Sequence, residues 1–432
     1  MLAFGASTPN AAFCQPRATF RDERRNAGGC RQTGATTGID GFRHLGLLPT
    51  VMNDFAKPVD RIHSDSIKWN KYAPDVLPLW VADMDFISPP SVLQALAERV
   101  AHGVFGYGTD SKRLTEVVVA RLHRLYGWRV SPEDVVYLPG VVPGFNLACL
   151  AFANEGQRVV VQTPVYPPLL HAPFETERDS AEVGFIRDAQ GHYTIDWDDF
   201  ERTISNDARL FISCNPHNPL GRVFTPSELE RMADICTRSG TLMCSDEIHC
   251  DLLYPGHTHV PLASLAPEIA QNTVTLMAPS KTYNLAGLQC SFAVIQNVTL
   301  RKRFVSAARG LLAHLNTLGC TAALAAYGEG QSWLDAILHY LAANRDTLVA
   351  YVQQHMPQLR ISVPEGTYLA WIDCSGDDRL SRPYQFFLKE AKVALSDGLQ
   401  FGAPGRQHVR LNFGCRRDLL LEALERMRAS LA

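Results

Sequence analysis

Between Arg99 and Gly330, short apolar runs rich in Val, Ile and Leu alternate with stretches of helical periodicity. Such a chain buries both faces of its strands only by laying helices over a largely parallel sheet, so the alternation predicts a layered α/β domain. The candidate strands are Val135 to Leu138, Arg158 to Gln162, Leu210 to Ser213, Thr241 to Ser245, Val274 to Met277 and Ser291 to Ile295. Each ends at or next to a polar, Gly or Pro residue, and the ends of such strands are where chemical groups are delivered. Further on, Trp333, Ile337, Tyr340, Leu341, Leu348, Tyr351 and Val352 recur at three- and four-residue spacing. They predict one long amphipathic helix leading out of the domain. The remaining chain, ending in a helix over Leu419 to Met427, is expected to build a smaller α/β domain together with the segment after Met52. The expected boundaries are 99–330 for the large domain, and 52–98 with 331–432 for the small one.

Composition narrows the function. Of the 432 residues 46% are hydrophobic and 20% charged, as in soluble globular proteins rather than disordered, collagenous or coiled-coil chains. A formal net charge of −3 leaves no electrostatic footprint for nucleic acid or an anionic membrane, so a small-molecule ligand is the default. The longest apolar runs, Leu147 to Ala153 and Cys320 to Ala326, fall well short of the roughly 20 residues a membrane-spanning helix needs. The 11 cysteines are scattered singly, without Cys-x-x-Cys spacing, and read as reduced core thiols in a cytoplasmic protein. The first 51 residues hold seven glycines and six arginines, lack lysine, and show no apolar periodicity. They predict a disordered extension, or translation that begins at Met52. Asp22, Glu23 and Asp40 argue against an organelle presequence.

Four polar segments follow apolar strands. In Ala278-Pro279-Ser280-Lys281-Thr282 a lysine stands where desolvation would lower its amine pKa towards the nucleophilic range, suiting it to imine formation. Cys214-Asn215-Pro216-His217-Asn218-Pro219 is a proline-stiffened turn that offers amide donors. Ser245-Asp246-Glu247-Ile248-His249 puts carboxylates at a buried strand end, where a cationic partner is required. Gly140-Val141-Val142-Pro143-Gly144 is a turn before a helix expected to begin near Phe145, and its amides could hold an anion. An imine-forming lysine, a buried acid, an amide donor and a phosphate-sized nest are together what pyridoxal phosphate requires. His257 and His259 lie in a polar loop and read as solvent-facing rather than as a metal pair, and no metal is expected.

With these segments goes a resemblance to the fold-type I pyridoxal-phosphate enzymes. Within them the chain looks like the cystathionine β-lyase (C-S β-lyase) group of the aminotransferase class I/II family. It is carried by the stretches 79–86, 102–107, 164–168, 215–219, 245–249, 280–282 and 364–368, and runs from Met52 to the C-terminus. The resemblance implies a large domain with a mixed, mostly parallel sheet flanked by helices, and a smaller α/β domain. It makes Lys281 the lysine that forms the imine with the cofactor and Asp246 the partner of the pyridine nitrogen. Asn218 and His249 would contact the phenolic oxygen, and Tyr166 would stack on the ring. Gly140, Val141, Val142 and Ser280 would hold the phosphate together with Tyr107 of a second subunit, which implies a homodimer. Arg410 would grip the substrate α-carboxylate beside Ala82 and Asp83. Ala278, Gln289 and His249 depart from the wider family, which often has serine, a basic residue and tyrosine there. The implied reaction is α,β-elimination on a sulfur amino acid. Transamination is the chemical alternative, and regulation through a protein partner, known in some members of the group, is the second.

Overall fold

The structure, a computed structural model, describes residues 54–108, 111–188, 191–312 and 314–432. The expectation for residues 1–51 lies outside them. In chain order the strands are β1 (Leu77–Pro78), β2 (Val135–Leu138), β3 (Arg158–Thr163), β4 (Asp179–Arg187), β5 (Tyr193–Ile195), β6 (Ala208–Cys214) and β7 (Leu242–Asp246). They continue with β8 (Thr273–Met277), β9 (Ser291–Val294), β10 (Arg360–Ile361), β11 (Leu369–Asp373), β12 (Val393–Ala394), β13 (Ser396–Asp397) and β14 (His408–Asn412).

An eight-stranded sheet has the order β2-β9-β8-β7-β6-β3-β4-β5. The five strands from β8 to β4 run parallel, β9 is antiparallel to both neighbours, and β5 is antiparallel to β4. Val159, Val160 and Val161 in β3 are wholly buried, as are Leu210 and Phe211 in β6, because helices cover both faces. One layer is the helix Val141–Phe152, whose Phe145 and Ala148 pack on the sheet with Leu276 and Ala293. Gly144 permits that approach, since a Cβ there would lie 2.9 Å from a Leu276 methyl. The other layer includes the helix Pro226–Arg238, started by a capping box in which Thr225 and Glu228 satisfy each other's backbone amides.

The second sheet, in the order β10-β11-β14-β13, is antiparallel, and β1 pairs in parallel with β12. The segment after Met52 thus meets the C-terminal part of the chain through main-chain hydrogen bonds, Leu77 N–H to Lys392 O and Leu79 N–H to Ala394 O. The amphipathic helix runs over Gln331–His355, and the last helix over Arg417–Leu431.

Two local expectations are corrected. The helix expected near Phe145 starts at Val141, with Gly140 as its N-cap. Pro143 falls in its first turn, where the missing N–H leaves no intrahelical bond unmade. His259, expected to face solvent, is buried, whereas His257 is exposed.

Candidate active site

The C-terminal ends of β6, β7 and β8 open onto one cavity of ≈ 320 Å³. β6 runs into Asn218, β7 ends in Asp246, and β8 leads into the short helix Pro279–Thr282 that carries Lys281. The N-terminus of the helix Val141–Phe152 forms a further wall with Gly140, Val141 and Val142, and β14 supplies Arg410. Tyr166, His249, Ser280 and Ala82 line the same space.

Lys281 is half-buried only because its side chain opens onto this cavity. Its Nζ donates to Ala82 O at 2.6 Å, and burial draws the amine down to about 8, with Arg410 pushing the same way. Asp246 is buried, and burial pushes its carboxyl up to about 7, helped by the neighbouring Glu247. Its Oδ1 accepts the Ile248 N–H at 3.1 Å, and among the described residues it forms no ion pair within 4 Å. The structural salt bridge that could have satisfied this acid is therefore missing, and its missing partner must come from a ligand or the acid must stay protonated.

Arg410 donates through Nη1 to Asn218 Oδ1 at 2.9 Å and through Nη2 to Trp80 O and Ser396 Oγ at 2.8 and 3.1 Å. Its Nε is buried without a hydrogen-bond partner, and burial lowers the guanidinium to about 10. Because Asn218 Oδ1 accepts from Arg410, its amide nitrogen is left to donate into the cavity. His249 also has an unpartnered buried Nδ1, and burial lowers its imidazole to about 3, with Lys281 and Arg410 adding to the effect, so it faces the cavity neutral. Burial pushes the Tyr166 phenol upward as well.

Two sequence candidates sit elsewhere. The Asp83 carboxylate does not line the cavity; it pairs with Arg61 Nη2 at 2.8 Å and lies 3.7 Å from Lys68 Nζ. Tyr107 is 100% exposed and away from the cavity of its own chain.

Several contributors went unnoticed in the sequence. Tyr368 OH donates to Ala82 O at 3.0 Å, and Asn412 Nδ2 bonds Val81 O and Asp83 O at 2.6 and 2.7 Å, so both fix the loop beside Lys281. Below that loop the wholly buried Lys68 meets Asp85 at 2.8 Å, and Arg61 bridges Asp83 and Asp85. Asp83 and Asp85 flanking Met84 in an apolar stretch were the available signal, since buried acids require cations.

A buried amine, a buried acid lacking a cation, a free amide donor, an aromatic face and a helix N-terminus in one cavity fit pyridoxal phosphate. The aminotransferase class I and II profile matches residues 74–427. The chain belongs to this aminotransferase family. The cystathionine β-lyase PatB of Bacillus subtilis (strain 168) is 38% identical over 390 residues, covering 88% of this chain and 100% of the relative. The crystal structure of OvoB is 45% identical with a TM-score of 0.84, over 88% of this chain and 99% of that one. The pyridoxal-phosphate-bound C-S lyase from Staphylococcus hominis is 31% identical with a TM-score of 0.83, over 89% and 99%. The sheet order and these neighbours establish the fold-type I transferase-like architecture expected of a class I and II aminotransferase relative. No helix among the described residues is long and apolar enough to cross a membrane, and no described group of His, Cys, Asp and Glu could hold a metal ion.

Proposed function

We propose that the chain is a pyridoxal-phosphate-dependent carbon-sulfur β-lyase acting on cystathionine or related S-substituted L-cysteines, releasing a thiol, pyruvate and ammonia. The observation that carries this reading is Asp246, a buried carboxyl without a cation, in one cavity with the Lys281 amine. The names of the relatives, cystathionine β-lyase and C-S lyase, supply the reaction class.

Bound in the cavity, pyridoxal phosphate supplies an electron sink for the electron pair at the substrate Cα. Asp246 would hold a positive charge at the pyridine nitrogen, and Asn218 Nδ2 and neutral His249 would bond the phenolic oxygen. Tyr166 gives the ring a planar face. Val141 and Val142 offer their first-turn N–H groups to the phosphate, with Ser280 beside them. Arg410, whose Nε is buried without a partner, would take up the substrate carboxylate. Lys281, drawn down to about 8, is partly unprotonated near neutrality and takes the proton from Cα. The sulfur then departs as a thiolate; with a thiol pKa of about 8.5 it is a far better leaving group than an alkoxide.

Tyr107, Val104 and Phe105 are exposed in the single chain. We read them as the contact with a second copy, in which Tyr107 reaches the neighbouring phosphate of a homodimer. Buried thiols such as Cys149 and Cys236 suit a reducing, cytoplasmic location.

Incubation with L-cystathionine and no oxo acid should yield pyruvate and free thiol in equal amounts. Pyruvate that appears only with an oxo acid would assign the chain to transamination. A regulatory role through a protein partner predicts a cellular phenotype that survives Lys281→Ala.

A further inference from the structure

Directly behind Asp246 lies a second polar assembly that the reaction above leaves unused. Glu247 follows β7 and its N–H still pairs with Leu276 O of β8 at 2.9 Å, so the strand's alternation carries on: Asp246 faces the cavity and Glu247 points the other way, wholly buried. Its carboxylate accepts three hydrogen bonds: from Ser245 Oγ at 2.8 Å, from the Leu262 N–H at 3.0 Å, and from His259 Nε2 at 2.8 Å. Among the described residues no lysine or arginine reaches it within 4 Å.

The far side of His259 fixes its protonation. Asn215 Oδ1 is taken by the Phe224 N–H at 2.9 Å, so it is the Asn215 amide nitrogen that faces His259 Nδ1, at 3.5 Å. In that arrangement Nδ1 is the acceptor and Nε2 the nitrogen that donates to Glu247. Asn215 in turn donates its N–H to Asp246 O at 3.0 Å and begins the turn that ends in Asn218. Tyr126 packs edge-on against the imidazole at 5.7 Å, and the nearby Arg121 and Asp251 are paired with each other at 2.5 Å. Arg121 keeps a buried Nη1 without a hydrogen-bond partner, but among the described residues it makes no ion pair with Glu247 within 4 Å.

We propose that His259 is a positioning residue: by holding Glu247 and Asn215 at once, it fixes Asp246 and Asn218 against the cofactor ring and keeps a negative charge behind the ring nitrogen. The inference rests on the reading of Asp246 as partner of that nitrogen.

The test compares His259→Phe, His259→Gln and Glu247→Gln as holoenzymes refilled with pyridoxal phosphate. For each, one measures cofactor dissociation, the circular dichroism of the bound chromophore, its absorbance titration, and kcat against KM. His259→Phe strands the Glu247 carboxylate and should weaken cofactor binding about tenfold or more, alter the chromophore dichroism, and lower kcat with little change in KM. Glutamine can donate and accept across the same span, so His259→Gln should remain within about threefold of the parent. Glu247→Gln removes the charge and retains the shape, so the chromophore should titrate at lower pH; this variant decides the matter if the phenylalanine variant does not fold. A His259→Phe protein that only loses thermal stability, with dissociation and dichroism unchanged, overturns the proposal. So does an unshifted titration in Glu247→Gln, or a glutamine variant as defective as the phenylalanine one. Asp246→Ala separates the two levels. If it weakens cofactor binding and His259→Phe does not, only the relay fails; if it leaves binding intact, the reading of the ring-nitrogen contact fails with it.

Discussion

Asp246→Asn in the cofactor-stripped protein gives a direct measure of the buried acid. The carboxyl ordinarily titrates at 3.8, and burial raises it to about 7 in the folded chain. Below the unfolded value both states are protonated, and the group costs the fold nothing. As pH rises towards the folded value the unfolded chain releases its proton first, so stability is lost progressively and then levels off. At about 1.4 kcal/mol per pH unit of displacement, the full effect is about 4 kcal/mol, of which about 3 kcal/mol falls between about pH 5 and about pH 8. Asparagine retains the shape and the oxygen that accepts the Ile248 N–H but does not titrate. Urea unfolding of both proteins across this range should therefore show the wild type falling behind the variant by about 3 kcal/mol as pH rises, other titrations cancelling in the difference. Saturating pyridoxal phosphate should remove the decline in the wild type, because a cationic ring nitrogen stabilises the carboxylate. Parallel stability curves for the two apoproteins would refute the claim that Asp246 is buried without a cation.

Lys281→Ala should lower kcat by at least about a thousandfold and abolish the borohydride-stable tag at residue 281, checked by peptide mapping after reduction. Arg410→Lys should reduce kcat/KM by about tenfold to a hundredfold, since a single ammonium cannot hold Asn218 and Trp80 as the two Nη atoms do and still offer the proposed donor to the substrate. Steady-state kinetics on a sulfur amino acid would show it. Tyr107→Phe should weaken cofactor binding about fivefold to tenfold, and mixing it with Lys281→Ala chains should yield hybrids in which one site regains both groups, a complementation that titrated activity detects. Gly144→Ala should destabilise by about 1 to 3 kcal/mol in a urea melt, because the added methyl runs into buried Leu276 and Leu138.

Most of the strands that a linear reading located are buried along nearly their whole length; the edge strand β2 was found from its Val-Val-Tyr-Leu composition although it is only partly buried. β3, β6, β7 and β8 are buried along most of their length, and each keeps a short apolar core (Val159–Val161, Leu210–Ile212, Leu242–Cys244 and Leu276–Met277) that is legible without a partner. β4 and β5 went unread because only Val183 in the nine residues Asp179–Arg187 is fully buried and Gly184 interrupts them; a strand near the sheet edge carries a weak apolar signature. Polar groups follow the same logic in reverse. Asp246 ends β7, and Asn218 and Lys281 stand four residues past the ends of β6 and β8, where a polar side chain is conspicuous. Arg61, Lys68 and His259 lie in segments without periodicity and acquire their meaning only from partners 12 to 24 residues away. What made His259 look like a surface residue was its polar loop; what makes it a buried one is the Glu247 carboxylate just past β7, whose Oε2 meets His259 while Oε1 accepts from Ser245 and Leu262. Sequence patterns thus report groups that face the core or the cavity directly, whereas groups that steady those groups become visible only when the fold brings their charges together.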